Sequence, residues 1–234
     1  AVNDIPGGYS GPGSVSMSSF SSWGPADDGR VKPDIVTNGV NLYSTENSSN
    51  ASYTNSSGTS MSAPSACGSM ALLQQHWEDL NGTGNYMTAA SLKGLVIHTS
   101  DEAGSSDGPD YKFGWGLMNT ANAALRISED QNINVIEEAY LSEGATFEMV
   151  LTSDGTEDLK VTICWTDLPG QTMGPQLDPL NPMVINDLDL SITSNGNTFY
   201  PWKLSRNSPT AAATNSSRNN VDNVEMVFIE NPGA

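Results

Sequence analysis

Apolar positions follow two different rhythms along this chain. In the first half, Ala63, Ala66, Cys67, Met70, Leu73, Trp77 and Leu80 recur at three- and four-residue steps, which predicts a helix with one buried face, closed by "NGTG" at Asn81. A second helix is expected after Thr88 as N-cap, carrying Leu92, Leu95, Val96 and His98. A third fits Asn119 to Ile127, after the aromatic glycine loop "YKFGWG". From Ile127 onward the period drops to two. Leu159, Val161, Ile163 and Trp165 alternate with Lys160, Thr162, Cys164 and Thr166, and "TFEMVLT", "INDLDLSI" and "DNVEMVFIE" repeat the habit. Short strands divided by polar Gly, Asn, Pro and Ser turns predict a sandwich or jelly roll.

The pattern therefore divides the chain into residues 1–127, where Gly, Ser and Pro loops alternate with helical patterns, and residues 128–234, all-β. Composition narrows the partners. A net charge of −18, from 27 acidic residues against 9 Lys and Arg, repels nucleic acid and anionic membrane surfaces, so neither is expected as a partner. No run approaches the roughly 18 apolar residues of a membrane span. Cys67 and Cys164 lie among apolar neighbours, which predicts core filling for both thiols. Glycan acceptor triplets begin at Asn47, Asn50, Asn55, Asn81 and Asn215. The opening "AVND" lacks an initiator Met and the closing "FIENPGA" stops short of a further strand, so both ends read as those of a fragment.

Chemistry concentrates at "SSGTSMSAP", Ser56 to Pro64. A serine in the first turn of a helix has unpaired backbone N–H groups beside it, and with the helix dipole these favour negative charge near its oxygen. Gly58 gives the backbone freedom and lets a ligand approach closely, Ser62 and Ala63 add little bulk, and Pro64 is expected in or just past the first turn, where a missing N–H costs least. A hydroxyl-rich N-cap without chemistry has the same local composition.

The longer string resembles a known family. "GTSMSAP", with "SSFSSWGPADDGRVKPDIVTNGVNLYST" upstream and "SLKGLVIHTSDEAG" and "DYKFGWGLMNTANAAL" downstream, is similar in order and spacing to the subtilisin-like serine proteases. The resemblance implies an α/β fold for this part, a partial doubly wound parallel-sheet domain, with Ser60 as nucleophile, its own N–H as an oxyanion donor, and Gly58 and Thr59 lining the substrate. It implies a secreted, extracellular endopeptidase acting on protein or peptide substrates. The family's Asp, His and oxyanion Asn all precede the matched segments, so they are expected from an N-terminal part of the same protease, and this chain alone is expected to be inactive. Its histidines, His76 and His98, both follow Ser60. Asn38 in "VTNG" stands where the family commonly has proline.

The second half is similar to the jelly roll of a calcium-dependent alkaline branch of that family, through "VTICWTD", "VINDLDLSI" and "RNNVDNVEMVFIENP". The resemblance implies a structural Ca²⁺ held by Asp187 and Asp189, with Arg218 as the competing neutraliser, although 203–220 carries no further Asp or Glu. Two rival readings remain. One is a non-catalytic binding or scaffold module on a degenerate protease fold. The other is a hydrolase using His98 as base, which requires a Gly-x-Ser-x-Gly elbow that "SGTSMSA" does not supply.

Overall fold

Three helices build the first core. α1 runs Thr59–Asn81 and ends at Gly82, whose positive φ of 99° lets its N–H turn back to the Glu78 carbonyl at 2.8 Å. α2, Ala89–His98, starts where Thr88 Oγ1 accepts the Ser91 N–H at 3.2 Å, the cap expected from the sequence. α3, Thr120–Ile133, is capped by Asn119 Oδ1 on Asn122 N–H at 2.9 Å. It runs six residues past the predicted end at Ile127, because its last turns are tied to α1 by polar contacts that hydrophobic periodicity does not register. Ser128 Oγ meets His76 Nε2 at 2.9 Å, and Gln131 Nε2 donates to Asn81 Oδ1 at 3.2 Å. Leu73, Met87, Leu95, Val96, Ala123 and Ile127 form the buried centre, with Met70 and Trp77 packed against it. The buried stripe of α1 is narrower than its apolar spacing suggests. Cys67 is exposed, which corrects the expected core placement of that thiol, and Leu80 is exposed as well.

The structure, a computed structural model, describes residues 1–133 and 135–233. Among them the parallel component of the expected doubly wound sheet is reduced to single bridges: Val2 with Asn38 and Val36 with Leu117 are parallel. Val2 N–H donates to Thr37 O at 2.9 Å and Val36 N–H to Gly116 O at 2.9 Å, so three extended segments lie side by side around Val2, Val15, Val36, Ala103 and Phe113. The paired strands are all antiparallel. β1, Leu42–Thr45, and β2, Tyr53–Ser56, form a hairpin leading directly into α1.

In the second half, β3 (Leu159–Cys164) pairs with β6 (Val224–Ile229), and β4 (Ile192–Ser194) pairs with β5 (Asn197–Phe199). Two separate two-stranded sheets do not make the predicted sandwich among the described residues. "TFEMVLT" is exposed throughout and pairs with no strand among them, with Val150 94% accessible: a period-two stretch becomes a strand only where a partner edge meets it. The facing of β3 also differs from the apolar alternation. Its Lys160, Thr162 and Cys164 side lies on α2, where Thr162 Oγ1 contacts His98, Lys160 Nζ donates to the His98 carbonyl at 3.1 Å, and Cys164 sits over Gly94. A Cβ on Gly94 would come 3.1 Å from the Cys164 Cβ, so the glycine permits this approach.

The two halves share a core. Val31, Ile97 and Trp115 pack with Val224 and Met226, and the Val31 N–H donates to the buried Asp222 carboxylate at 2.8 Å. No helix among the described residues is long and apolar enough to cross a membrane.

Candidate active site

The turn carrying Ser60 is built from outside the helix. Gly58, the N-cap, is extended at φ 160° and offers no side-chain cap. Its carbonyl accepts the N–H groups of Met61 at 3.1 Å and Ser62 at 3.3 Å, while its own N–H donates to Gly39 O at 2.8 Å. Among the described residues the Thr59 and Ser60 N–H groups have no backbone acceptor, so two donors stand free at the positive end of a 23-residue helix. Ser60 is exposed and its hydroxyl has no hydrogen-bond partner among them.

Pro64 lies in the second turn of α1, just past the first, where an N–H would have had a partner within the helix. A proline here withholds the N–H that would meet the Ser60 carbonyl, and its ring crowds that carbonyl. The start of the helix is fastened by the 37–39 segment instead. Thr37 Oγ1 contacts Ser62 Oγ at 2.6 Å and donates to Ser62 O at 2.8 Å, and Ser62 Oγ reaches Thr37 O at 2.9 Å. Asn38 Oδ1 accepts the Val40 N–H at 2.8 Å, closing a turn that a proline at 38 would have to make without that bond. Gly39 is the tightest point: a Cβ there would sit 2.6 Å from Ala1 Cβ, 2.7 Å from Gly58 O and 3.1 Å from Ser62 Cβ. Reading residues 56–64 alone missed Thr37 and Gly39. The small-polar triplet "TNG" was their only signal.

The expected role of Gly58 changes in one respect. Its backbone is one any residue adopts, and a Cβ would meet only Met61 Sδ at 3.5 Å and Ser60 N at 3.7 Å. The chain's own packing leaves room for a side chain at this position, so the turn does not require glycine's backbone freedom.

Neither histidine joins Ser60. His76 is 16 residues along the same helix, about 24 Å at 1.5 Å per residue. His98, at the end of α2, has Nδ1 3.0 Å from Thr162 Oγ1. Burial, with Lys160 and Arg126 adding to it, pushes its pKa down to about 4.

Asp187 and Asp189 lie elsewhere and share no bond with the Ser60 turn among the described residues. Asp189 Oδ2 is paired with Arg218 at 2.7 Å, and Asp187 Oδ2 accepts from Asn220 Nδ2 at 2.9 Å. Beside them the fully buried Glu225 takes the Leu190 N–H on Oε2 at 2.6 Å and leaves Oε1 without a partner. Burial raises the Glu225 pKa to about 8, with Asp189, Asp187 and Asp222 adding to it against the Leu190 hydrogen bond. Among the described residues no three His, Cys, Asp or Glu side chains group as a metal-binding set. As arranged, Asp189 already holds the Arg218 guanidinium, so a calcium ion at this pair would have to displace it.

Among the described residues, a free serine hydroxyl thus stands beside two free N–H groups at a helix start. Comparison with known proteins narrows the class. Residues 7–116 match the Subtilase family. Over 167 residues the chain is 46% identical to the PI-type proteinase of Lactococcus lactis subsp. cremoris, covering 61% of this chain and 8% of that protein. It is 46% identical over 83 residues to the PII-type proteinase of Lacticaseibacillus paracasei, covering 35% of this chain and 4% of the relative. Over 62 residues it is 48% identical to the C5a peptidase of Streptococcus pyogenes, covering 26% and 5%. These similarities support the subtilase family and a serine protease kind. The chain spans less than a tenth of the length of each of these relatives.

Proposed function

We propose that this chain is the nucleophile-bearing portion of a secreted, extracellular serine endopeptidase. Ser60 Oγ attacks the scissile carbonyl of a protein or peptide substrate and forms an acyl-enzyme, while the Ser60 N–H receives the developing oxyanion and Gly58 and Thr59 border the bound peptide. The observation that carries this reading is the exposed Ser60, unpartnered in both hydroxyl and N–H among the described residues, on a turn fastened by other residues. A serine hydroxyl needs a base, and His76 and His98 are committed to Ser128 and Thr162. The base, its Asp and an oxyanion Asn are therefore assigned to an N-terminal part of the same protease.

Calcium at Asp187 and Asp189 belongs to the proposal in a restricted form. An ion there competes with Arg218 for Asp189.

The test is fluorophosphonate labelling with peptide mapping. The full-length protein should be labelled at Ser60 and lose labelling and peptide hydrolysis in Ser60→Ala, while the 234-residue chain by itself should label slowly or not at all. Rapid stoichiometric labelling of the isolated chain would overturn the assignment of the base.

A further inference from the structure

The hairpin that feeds α1 presents an aromatic face that the described residues leave uncovered. Tyr43 on β1 and Tyr53 on β2 stack at a centroid distance of 5.5 Å and an interplanar angle of 22°, yet remain 71% and 55% exposed. The register explains their meeting. Tyr43 lies opposite Asn55 and Tyr53 opposite Thr45, so Tyr43, Thr45, Tyr53 and Asn55 project from one face of the two-stranded sheet. Neither strand pairs with a third among the described residues, which leaves backbone edges open beside the rings.

Three observations bear on what this face meets. First, β2 ends at Ser56 and Ser60 follows within the first turn of α1, so the platform is continuous in chain with the nucleophile. Second, 16 of the 23 residues from Asn38 to Ser60 are Ser, Asn, Gly or Tyr, the composition of surfaces that bind polypeptide through rigid aromatic contact and adaptable hydrogen bonding. Third, Glu46 is the single charge in that stretch of a chain carrying −18, and it is turned onto Ser48 in the hairpin loop. The face thus lacks the field that elsewhere on the chain repels acidic peptides.

We propose that Tyr43 and Tyr53 form a remote binding subsite for the polypeptide substrate, taking an apolar or aromatic side chain several residues from the scissile bond. This rests on the reading of Ser60 as nucleophile. Tyr53 lies seven positions before Ser60, and an extended chain rises about 3.3 Å per residue, so a substrate of about seven extended residues is long enough to bridge them. Short substrates do not reach the tyrosines.

The experiment compares kcat/KM of the full-length protein and its Tyr43→Ala/Tyr53→Ala variant on a chromogenic substrate of two or three residues and on peptides extended by eight residues to either side. The extended peptides should lose roughly two- to tenfold, the worth of one or two aromatic contacts, and the short substrate should be unchanged. Tyr43→Phe/Tyr53→Phe should retain the preference for length, because the rings and not the hydroxyls carry it. Fluorophosphonate labelling of Ser60 should proceed at the same rate in all three proteins. A loss equal on short and long substrates, or a loss on neither, overturns the subsite while leaving the nucleophile in place. Failure of the unsubstituted full-length protein to label at Ser60 overturns both.

Discussion

His98 offers a sharp test of the packing between the two halves. In the folded chain its ring lies between α2 and β3, bonded to Thr162, and its pKa falls from 6.5 to about 4 through burial and the nearby Lys160 and Arg126. The unfolded chain therefore binds a proton on His98 at a pH where the folded chain does not. Stability from this group is fully present above pH 6.5 and is lost as pH falls toward 4. At about 1.4 kcal/mol per pH unit the loss across that window amounts to about 3 kcal/mol. The wild-type stability curve alone does not isolate it, because Glu225 and Glu102 act with the opposite sign. Their folded pKa values are raised to about 8 and about 7, mainly by burial, so their penalties on the folded state ease as pH falls from those values toward 4.5. A comparison with His98→Gln removes both, since the two carboxyls are common to both proteins. Urea unfolding followed by tryptophan fluorescence, at pH values from 7.5 to 4, should show the difference between variant and wild type moving in favour of the variant by about 3 kcal/mol as pH falls. A difference that stays flat with pH would refute the reasoning, since it would mean that the His98 ring is hydrated rather than buried against Thr162.

The glycines around Ser60 and the acidic pair make two further predictions. Gly39→Ala drives a Cβ against Gly58 O and Ser62 Cβ, so it should cost about 1 to 3 kcal/mol of stability and slow fluorophosphonate labelling of the full-length protein, whereas Gly58→Ala should leave the melting temperature nearly unchanged and lower peptide hydrolysis. If both substitutions behave alike, the division of labour between these two positions is wrong. For calcium, Arg218→Gln should make the melting temperature more sensitive to a chelator than in wild type, and Asp189→Asn should abolish that sensitivity. No chelator effect in any of the three proteins rejects the ion and leaves an exposed Arg218–Asp189 pair worth about 1 kcal/mol or less.

The helical half of the fold was legible because helices carry their signals locally. The three- and four-residue spacing placed α1 and α2, and Thr88 and "NGTG" marked two ends. The extra turns of α3 were not legible, since Ser128 and Gln131 find their partners on another helix. Strand pairing lies further from local reach. Nothing near Val161 names Val227 as its partner, and the choice of face on β3 turned on Gly94, a residue in a different element. The same holds at the candidate site. Ser60, Gly58 and Thr59 stood out as a string, but the residues that fix their position belong to an earlier segment and meet them only in the fold. The pairing of Asp189 with Arg218 had been open as an alternative to an ion, and chain distance alone left the choice undecided.

Pro64 has an implication for how this turn evolves or is engineered. A peptide copied from α1 would fray first at the end that carries Ser60, because the proline removes a bond from that end and Thr37 and Gly39 would be left behind. The motif is therefore not portable: grafted onto another helix it would bring the hydroxyl without its placement. Mutational searches for altered Ser60 reactivity have their best targets in Thr37 to Gly39 as much as in the helix, and substitutions at 62 should be tolerated mainly in combination with changes at 37.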